Sequence, residues 1–227
     1  MTISVIIPTL NEARIIAETL SHTAGLGFDE LIVVDGGSTD GTAAIAEAHP
    51  IGARVIAAPR SRARQLNVGA QTSHGDLLIF LHADTHLPLT AKQGIMEAFI
   101  DDDIVGGRFD VRFDRPTVLG HIISTLMNYR SRWSGVATGD QAIFVRRRTF
   151  DQLGGFADIP LMEDIDFSRR LKRKGRMAML EDHVVTSFRR WDANGPIKTI
   201  VLMWGLRFLY WIGVSPHRLQ HYYAAIR

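Results

Sequence analysis

The first eighty residues alternate short apolar runs with segments of helical periodicity. Ile3–Ile7 (interrupted by Ser4), Leu31–Val34, Arg54–Ala57 and Leu77–Leu81 read as strands. Between them, a helix starts near Glu12 behind an Asn11 cap, with Ile15, Ile16 and Leu20 on one face. Thr42–His49 and Ala63–Thr72 read as further helices. A continuous apolar strand has no face suited to water, so this alternation predicts parallel strands covered on both faces, an α/β fold. Ligands in such sheets bind beyond the carboxyl ends of the strands. Three segments fall at those ends: Pro8–Glu12, Asp35–Thr42 and His82–Asp84.

The second half follows another pattern. Phe109, Val111 and Phe113 alternate with Asp110, Arg112 and Asp114, which predicts a half-exposed antiparallel strand. A helix is expected over about Val118–Arg130, a strand over Ala142–Val145, a helix over Glu163–Lys174 and a short strand over Met177–Leu180. No linker interrupts the chain. We therefore expect one domain over 1–190, with 1–86 binding a nucleotide and 87–190 an acceptor, followed by a helical tail, 191–227.

That tail holds the mostly apolar segment Ile197–Val214, broken by Lys198 and Arg207. A mid-segment charge is costly inside a bilayer, which argues against a span. Trp204, Tyr210 and Trp211 suit a membrane interface, packing on the domain, or a second subunit in a homodimer.

Composition excludes several classes. There are no cysteines, which removes disulfides and Cys-ligated metals. A net charge of +2, from 26 basic and 24 acidic residues, is too balanced for a general nucleic-acid binder. Basic residues cluster locally at Arg60/Arg62/Arg64, at Arg146–Arg148 and across Arg169–Arg176. Each cluster fits a solvated face, a diphosphate contact or an anionic lipid contact. The first apolar run is too short for a signal peptide, so the expected location is cytoplasmic, at the inner membrane face if the tail docks there.

Three motifs carry chemistry. Asp35-Gly36-Gly37-Ser38-Thr39-Asp40-Gly41-Thr42 joins a strand to a helix. Its glycines allow close backbone approach and Asp35 could accept from a base or ribose, although an Asx turn with a helix cap reads equally well. It is not the dinucleotide fingerprint. In His82-Ala83-Asp84, residues i and i+2 of a strand would face one way, so imidazole and carboxylate could meet one cation. Few protein ligands and carboxylate oxygen suit Mg²⁺ or Mn²⁺ held jointly with phosphates; zinc through His86 fits poorly, because Thr85–Pro88 reads as a turn. Glu163-Asp164 opens a helix, where carboxylates are favoured anyway. Crowding of Glu163, Asp164 and Asp166 could raise one pKa toward a general base, and spacing alone does not choose which.

The ordered set resembles the inverting glycosyltransferases of family 2. The segments that carry the likeness are Val5–Glu12, Val34–Thr42, Asn67-Val68-Gly69-Ala70, Phe80–Asp84, Gly154-Gly155-Phe156 and Glu163-Asp164, over about residues 3 to 190. Leu81–Thr85, Gly139-Asp140-Gln141 and Arg189-Arg190-Trp191 resemble a small bacterial subgroup. The resemblance implies the A-type nucleotide-sugar-transferase fold, a Rossmann-like nucleotide-binding half merged with an acceptor half on one mixed, mostly parallel sheet. It implies a nucleotide-sugar donor (UDP or GDP), an acceptor hydroxyl of unknown identity and a divalent metal, Mn²⁺ or Mg²⁺. Pro8, Thr9, Glu12, Asp35, Gly37, Arg62, Ala83 and Asp84 would bind the nucleotide sugar. Asp84, with His82 as a second candidate, would hold the metal, and Asp164 would be the catalytic base. Gly139, Asp140, Gln141, Glu163, Arg189, Arg190 and Trp191 would face the sugar or acceptor. The family usually has a carboxylate where His82 stands. Two alternatives remain, a nucleotidyltransferase with a similar acidic site and a non-catalytic nucleotide-binding protein at a membrane.

Overall fold

A computed structural model describes residues 1–224, with the side chains of Arg190, Ala193, Asn194, Ile197 and Ala224 outside that description. The strands are β1 (Ile3–Thr9), β2 (Glu30–Asp35), β3 (Arg54–Ala57), β4 (Leu77–Phe80), β5 (Thr85–His86), β6 (Ile104–Phe113), β7 (Ile143–Arg146) and β8 (Arg176–Thr186). The helices are α1 (Ile16–Ala24), α2 (Thr42–Glu47), α3 (Arg62–Thr72), α4 (Ala91–Ala98), α5 (Val118–Ser134), α6 (Arg147–Gln152), α7 (Glu163–Leu171), α8 (Arg189–Asn194), α9 (Pro196–Trp211) and α10 (Pro216–Ala224).

All eight strands form one sheet, ordered β3-β2-β1-β4-β7-β6-β8-β5. The pairs β3/β2, β2/β1 and β1/β4 are parallel, as the mostly apolar runs predict. Beyond β4 the sheet is mixed: β4/β7, β7/β6 and β8/β5 are antiparallel and β6/β8 is parallel. One core lies on each face. Val5, Ile7, Val33 and Ile79 pack with Ile16 and Leu20 of α1; Ile6, Val34, Leu78 and Phe80 pack with Leu66 and Ala70 of α3. Alternate residues of a strand supply opposite faces, so one apolar run feeds both cores. Gly69 is required for the second: a Cβ there would lie 2.4 Å from Ile6 Cγ2.

Four expectations are corrected. β6 is not half-exposed, because it is paired on both sides and, of its charged residues Arg108, Asp110 and Arg112, only Arg112 is exposed; Asp114, also exposed, lies just past its end. Arg108 and Asp110 are buried and joined to each other, and Asp110 also accepts from Arg132 of α5. The alternation thus records a buried ion network rather than a wet face. β8 runs over eleven residues instead of four. Thr85–His86 forms a strand against β8 rather than a turn. Asn11 does not cap α1; it adopts φ 57° and its side-chain oxygen accepts from Thr39 N–H at 2.9 Å.

The basic clusters are largely structural. Arg146 donates to the carbonyls of Phe99 and Ile104, and Arg147 to those of Gly75 and Ala70. Arg170 pairs with Asp166 at 2.8 Å and Arg176 with Asp101 at 2.8 Å. The tail packs by one face, where Leu206 and Leu219 join Val136, Met162 and Ile165. Among the described residues, no helix is long and apolar enough to cross a membrane.

Candidate functional site

The ends of β1 and β2 are tied into a rigid loop pair. Asp35 is 7% exposed, and its carboxylate accepts from the N–H groups of Gly37 and Ser38 and the hydroxyls of Ser38 and Thr9. Asp40 accepts from Ala13 N–H and from the N–H and hydroxyl of Thr42, while Thr42 Oγ1 accepts from Glu12 N–H. These bonds hold Asp40 below the usual carboxylate range, the Thr42 hydroxyl contributing most. Gln65 of α3, buried, donates to the carbonyls of Thr9 and Val34, both at 2.8 Å, clamping the two strand ends together. Gly37 at φ 87° and Gly41 at φ 91° supply turns that other residues resist. The result is a preformed floor beside Pro8, Glu12 and Gly37.

A polar chain crosses from that floor to α7. Arg62 Nη1 lies 3.1 Å from His82 Nε2, and His82 Nδ1 lies 3.1 Å from Asp140 Oδ1. A guanidinium only donates, so Nε2 accepts and Nδ1 carries the hydrogen toward Asp140. In this arrangement both nitrogens of His82 are engaged by protein. Arg62 Nε also stands 4.0 Å from Glu163 Oε1. Gly139 N–H donates to Asp164 Oδ2 at 2.8 Å, and Ile165 N–H donates to Oδ1 at 2.7 Å. Burial, then the adjacent Asp164, pushes Glu163 up to about 7, with Arg62 opposing. Arg62 is held above its usual value: burial pulls it down, but Glu163, Asp140 and Asp164 more than offset this. Met162, just before the acidic pair, is buried with φ 70°, a strained conformation for a non-glycine residue.

Asp84 faces a different cation. Arg189, at the start of α8, pairs with Glu12 at 2.9 Å and lies 3.7 Å from Asp84. β4 ends at Phe80, so His82 and Asp84 sit in the following turn rather than at i and i+2 of a strand. Ala83, between them, is buried and its carbonyl accepts from Thr19. Among the described residues no three His, Asp or Glu side chains cluster as a metal cage. Asp84 remains a partly exposed carboxylate at the cleft edge, the donor type that Mg²⁺ and Mn²⁺ take together with phosphate oxygens.

The cleft has a volume of about 520 Å³. His82, Asp84 and Asp140 stand at its polar end, and α5 and α9 wall the rest with apolar side chains. Trp191 lines it too, stacked on Phe188 at 10° between planes. Gln141 is sealed from solvent, its Oε1 accepting from Thr138 N–H, so it holds the Gly139–Asp140 turn instead of bordering the cleft. The Arg190 side chain lies outside the described residues.

Residues 4–157 match the sequence profile of "Glycosyl transferase family 2". The chain belongs to glycosyltransferase family 2. A PGL/p-HBAD biosynthesis glycosyltransferase of Mycobacterium bovis is 31% identical over 202 residues, which span 81% of this chain and 75% of that one. Among solved structures, the mannosyltransferase PcManGT from Pyrobaculum calidifontis, in complex with GDP-Man and Mn²⁺, superposes with a TM-score of 0.66 at 21% identity. It is covered over 90% of this chain and 64% of that chain. TarS of S. aureus, in complex with UDP-GlcNAc, superposes with a TM-score of 0.64 at 19% identity, over 82% of this chain and 58% of that one. The chain thus spans less than two thirds of either solved chain. The fold is the A-type glycosyltransferase fold, with a mixed α/β sheet.

Of the residues expected from the sequence to form the site, His82, Asp84, Asp140 and Trp191 line the cleft, and Glu12, Asp35, Arg62, Gly139, Glu163, Asp164 and Arg189 lie outside its lining. The structure links Arg62, His82, Asp140 and Glu163 in one chain, and Glu12, Arg189 and Asp84 in another. Gln65, Arg130 and Met162 were missed. Gln65 and Arg130 look like ordinary polar positions of helical segments; only Met162, preceding an acidic pair, stood near a recognised motif.

Proposed function

We propose that this glycosyltransferase moves a sugar from a nucleoside diphosphate donor to an acceptor in the cleft, with inversion and with a divalent metal. The observation that carries the reading is the contact chain from the acidic start of α7 to the polar end of the cleft, Glu163 to Arg62, Arg62 to His82 and His82 to Asp140, with Asp84 lining that same cleft. The nucleoside would rest on the floor formed by Pro8, Thr9, Glu12, Asp35 and Gly37. PcManGT holding GDP-Man and Mn²⁺, and TarS holding UDP-GlcNAc, support this class of donor. Asp84 would hold Mn²⁺ or Mg²⁺ jointly with the diphosphate, and the bound ion supplies Lewis-acid stabilisation of the leaving group. Arg189 and Arg62 would add positive charge beside that diphosphate.

Asp164 would act as general base. Its two oxygens are aimed by backbone N–H groups, and it is the largest acidic influence on both arginines that line the cleft, Arg130 and Arg207. It would take the proton of the acceptor hydroxyl as that oxygen attacks the anomeric carbon, and the nucleoside diphosphate leaves from the opposite face. The chain falls into a catalytic body, 1–190, and a tail whose α9 helps to wall the acceptor end. The exposed residues Trp204, Phe208 and Trp211 of α9 fit contact with a membrane surface.

The test is thermal melting with UDP- and GDP-sugars, with and without Mn²⁺. A donor at a hundredfold excess over Kd should stabilise the fold by roughly 2.7 kcal/mol, and more weakly without metal. No shift with any nucleoside diphosphate sugar in the presence of metal would sink the reading.

A further inference from the structure

The inner wall of the cleft carries charge that the transfer chemistry above does not use. Arg130 of α5 and Arg207 of α9 both line it. Nε and Nη2 of Arg130 and Nε of Arg207 are buried and have no hydrogen-bond partner among the described residues. Burial lowers both guanidiniums, Arg130 to about 10, and Arg207 adds repulsion on Arg130, while Asp164 and Asp140 act in the opposite sense on both without outweighing burial. Buried donors are normally satisfied, and these three are not. An incoming anion would satisfy them, since guanidinium groups are suited to phosphate and carboxylate oxygens.

The surroundings narrow the ligand. Around the two arginines the wall is apolar, with Ile123 and Met127 from α5 and Ile200 and Met203 from α9. At the rim stand Trp133, 85% exposed, and Trp204, 61% exposed. A small, fully hydrated ion has no use for that lining, whereas an amphiphile does. Two positive charges match a phosphate monoester, which carries about −1.5 to −2 near neutral pH. The donor's own diphosphate is provided for elsewhere, where Arg189 stands with Glu12 and Asp84 beyond the ends of β1 and β4.

We propose that Arg130 and Arg207 form the anion subsite for an acceptor that carries a phosphate monoester on an apolar chain, the chain lying between α5 and α9. Naming the ligand as acceptor rests on the transferase reading; the subsite itself does not.

The experiment titrates the full chain with farnesyl phosphate, farnesol and inorganic phosphate, read by tryptophan fluorescence and calorimetry. Farnesyl phosphate should bind at least tenfold more tightly than either of the others. Arg130→Met and Arg207→Met should each lower its affinity tenfold or more. They should leave farnesol binding and Mn²⁺-dependent binding of nucleoside diphosphates unchanged. Arg130→Lys and Arg207→Lys should retain most of the affinity. Equal affinity for farnesol and farnesyl phosphate overturns the anion subsite. Inorganic phosphate binding as tightly as farnesyl phosphate overturns the apolar part of the ligand. Unchanged affinity in the Met variants overturns the role of the two arginines; should they not fold, the three-ligand comparison on the native chain decides. Failure of nucleotide binding alongside intact farnesyl phosphate binding strikes the transferase reading and leaves the subsite standing.

Discussion

The backbone N–H of Gly139 donates to Oδ2 of Asp164 across 2.8 Å, joining the turn before β7 to the first turn of α7. Twenty-five residues apart in sequence, the two positions fix the carboxylate proposed as the base. The same glycine packs on the ring of His82, so one small residue organises both sides of the polar end.

Asp164→Asn and Asp84→Asn separate proton transfer from metal binding. Asp164→Asn is nearly isosteric and should leave donor and Mn²⁺ affinity close to native while turnover falls by about 10² to 10⁴. Asp84→Asn should weaken Mn²⁺-dependent donor binding itself, because an amide is a poorer ligand for a hard cation than a carboxylate. Calorimetry beside turnover reads both. Native turnover in Asp164→Asn would move the role of base to Glu163, Asp166 or Asp140.

Gly139→Ala tests the packing against His82. A Cβ at Gly139 would lie 2.4 Å from His82 Nε2 and 2.9 Å from Cε1, and that ring is held by Arg62 and Asp140. Something must shift, and a displacement of about 1 Å at such a site can cost on the order of 10²-fold in rate. Turnover should fall by that order with a loss of ~1–3 kcal/mol in stability, typical of overpacking. Unaltered kinetics would show that the His82 position does not matter to transfer.

Glu163 makes stability depend on pH. Its carboxyl is raised from 4.5 to about 7 by burial and by Asp164. Between those values the folded chain holds a proton that the unfolded chain has released, so stability falls as pH rises from about 4.5 to about 7, by at most ~1.4 kcal/mol per pH unit. Below that window the penalty vanishes, and above it the full penalty remains. Glu163→Gln should therefore raise the melting temperature at pH 8 and lose that advantage by pH 4.5. Parallel melting curves of the two proteins across this range would disprove the assignment.

The exposed aromatic face predicts membrane contact. Trp133 of α5 and Trp204, Phe208 and Trp211 of α9 are each more than half exposed. Sedimentation with anionic vesicles should carry the chain down, and Trp133→Ala with Trp204→Ala and Trp211→Ala should release it while the melting temperature holds. Equal recovery in the supernatant with and without vesicles would favour a second copy of the chain on that face, which light scattering would show as a dimer.

The sequence by itself determined the parallel half of the sheet. The runs Ile3–Ile7, Leu31–Val34 and Leu77–Leu81 are almost wholly apolar because both faces are covered, and the period of two puts Ile6 in one core and Val5 in the other. It also placed Asp35 and Glu163–Asp164 at element ends. Tertiary structure alone decided the rest. β6 reads as a wet strand until Arg108 and Arg132 are seen to neutralise Asp110 inside the fold, a pairing set by α5 and β6 meeting in space. Likewise, Arg130 sits in a helix of mixed composition and Arg207 interrupts an apolar segment. Only the packing of α9 against the domain through Leu206 brings both arginines to one cleft, because which face of a helix is buried depends on its partner and not on its own period.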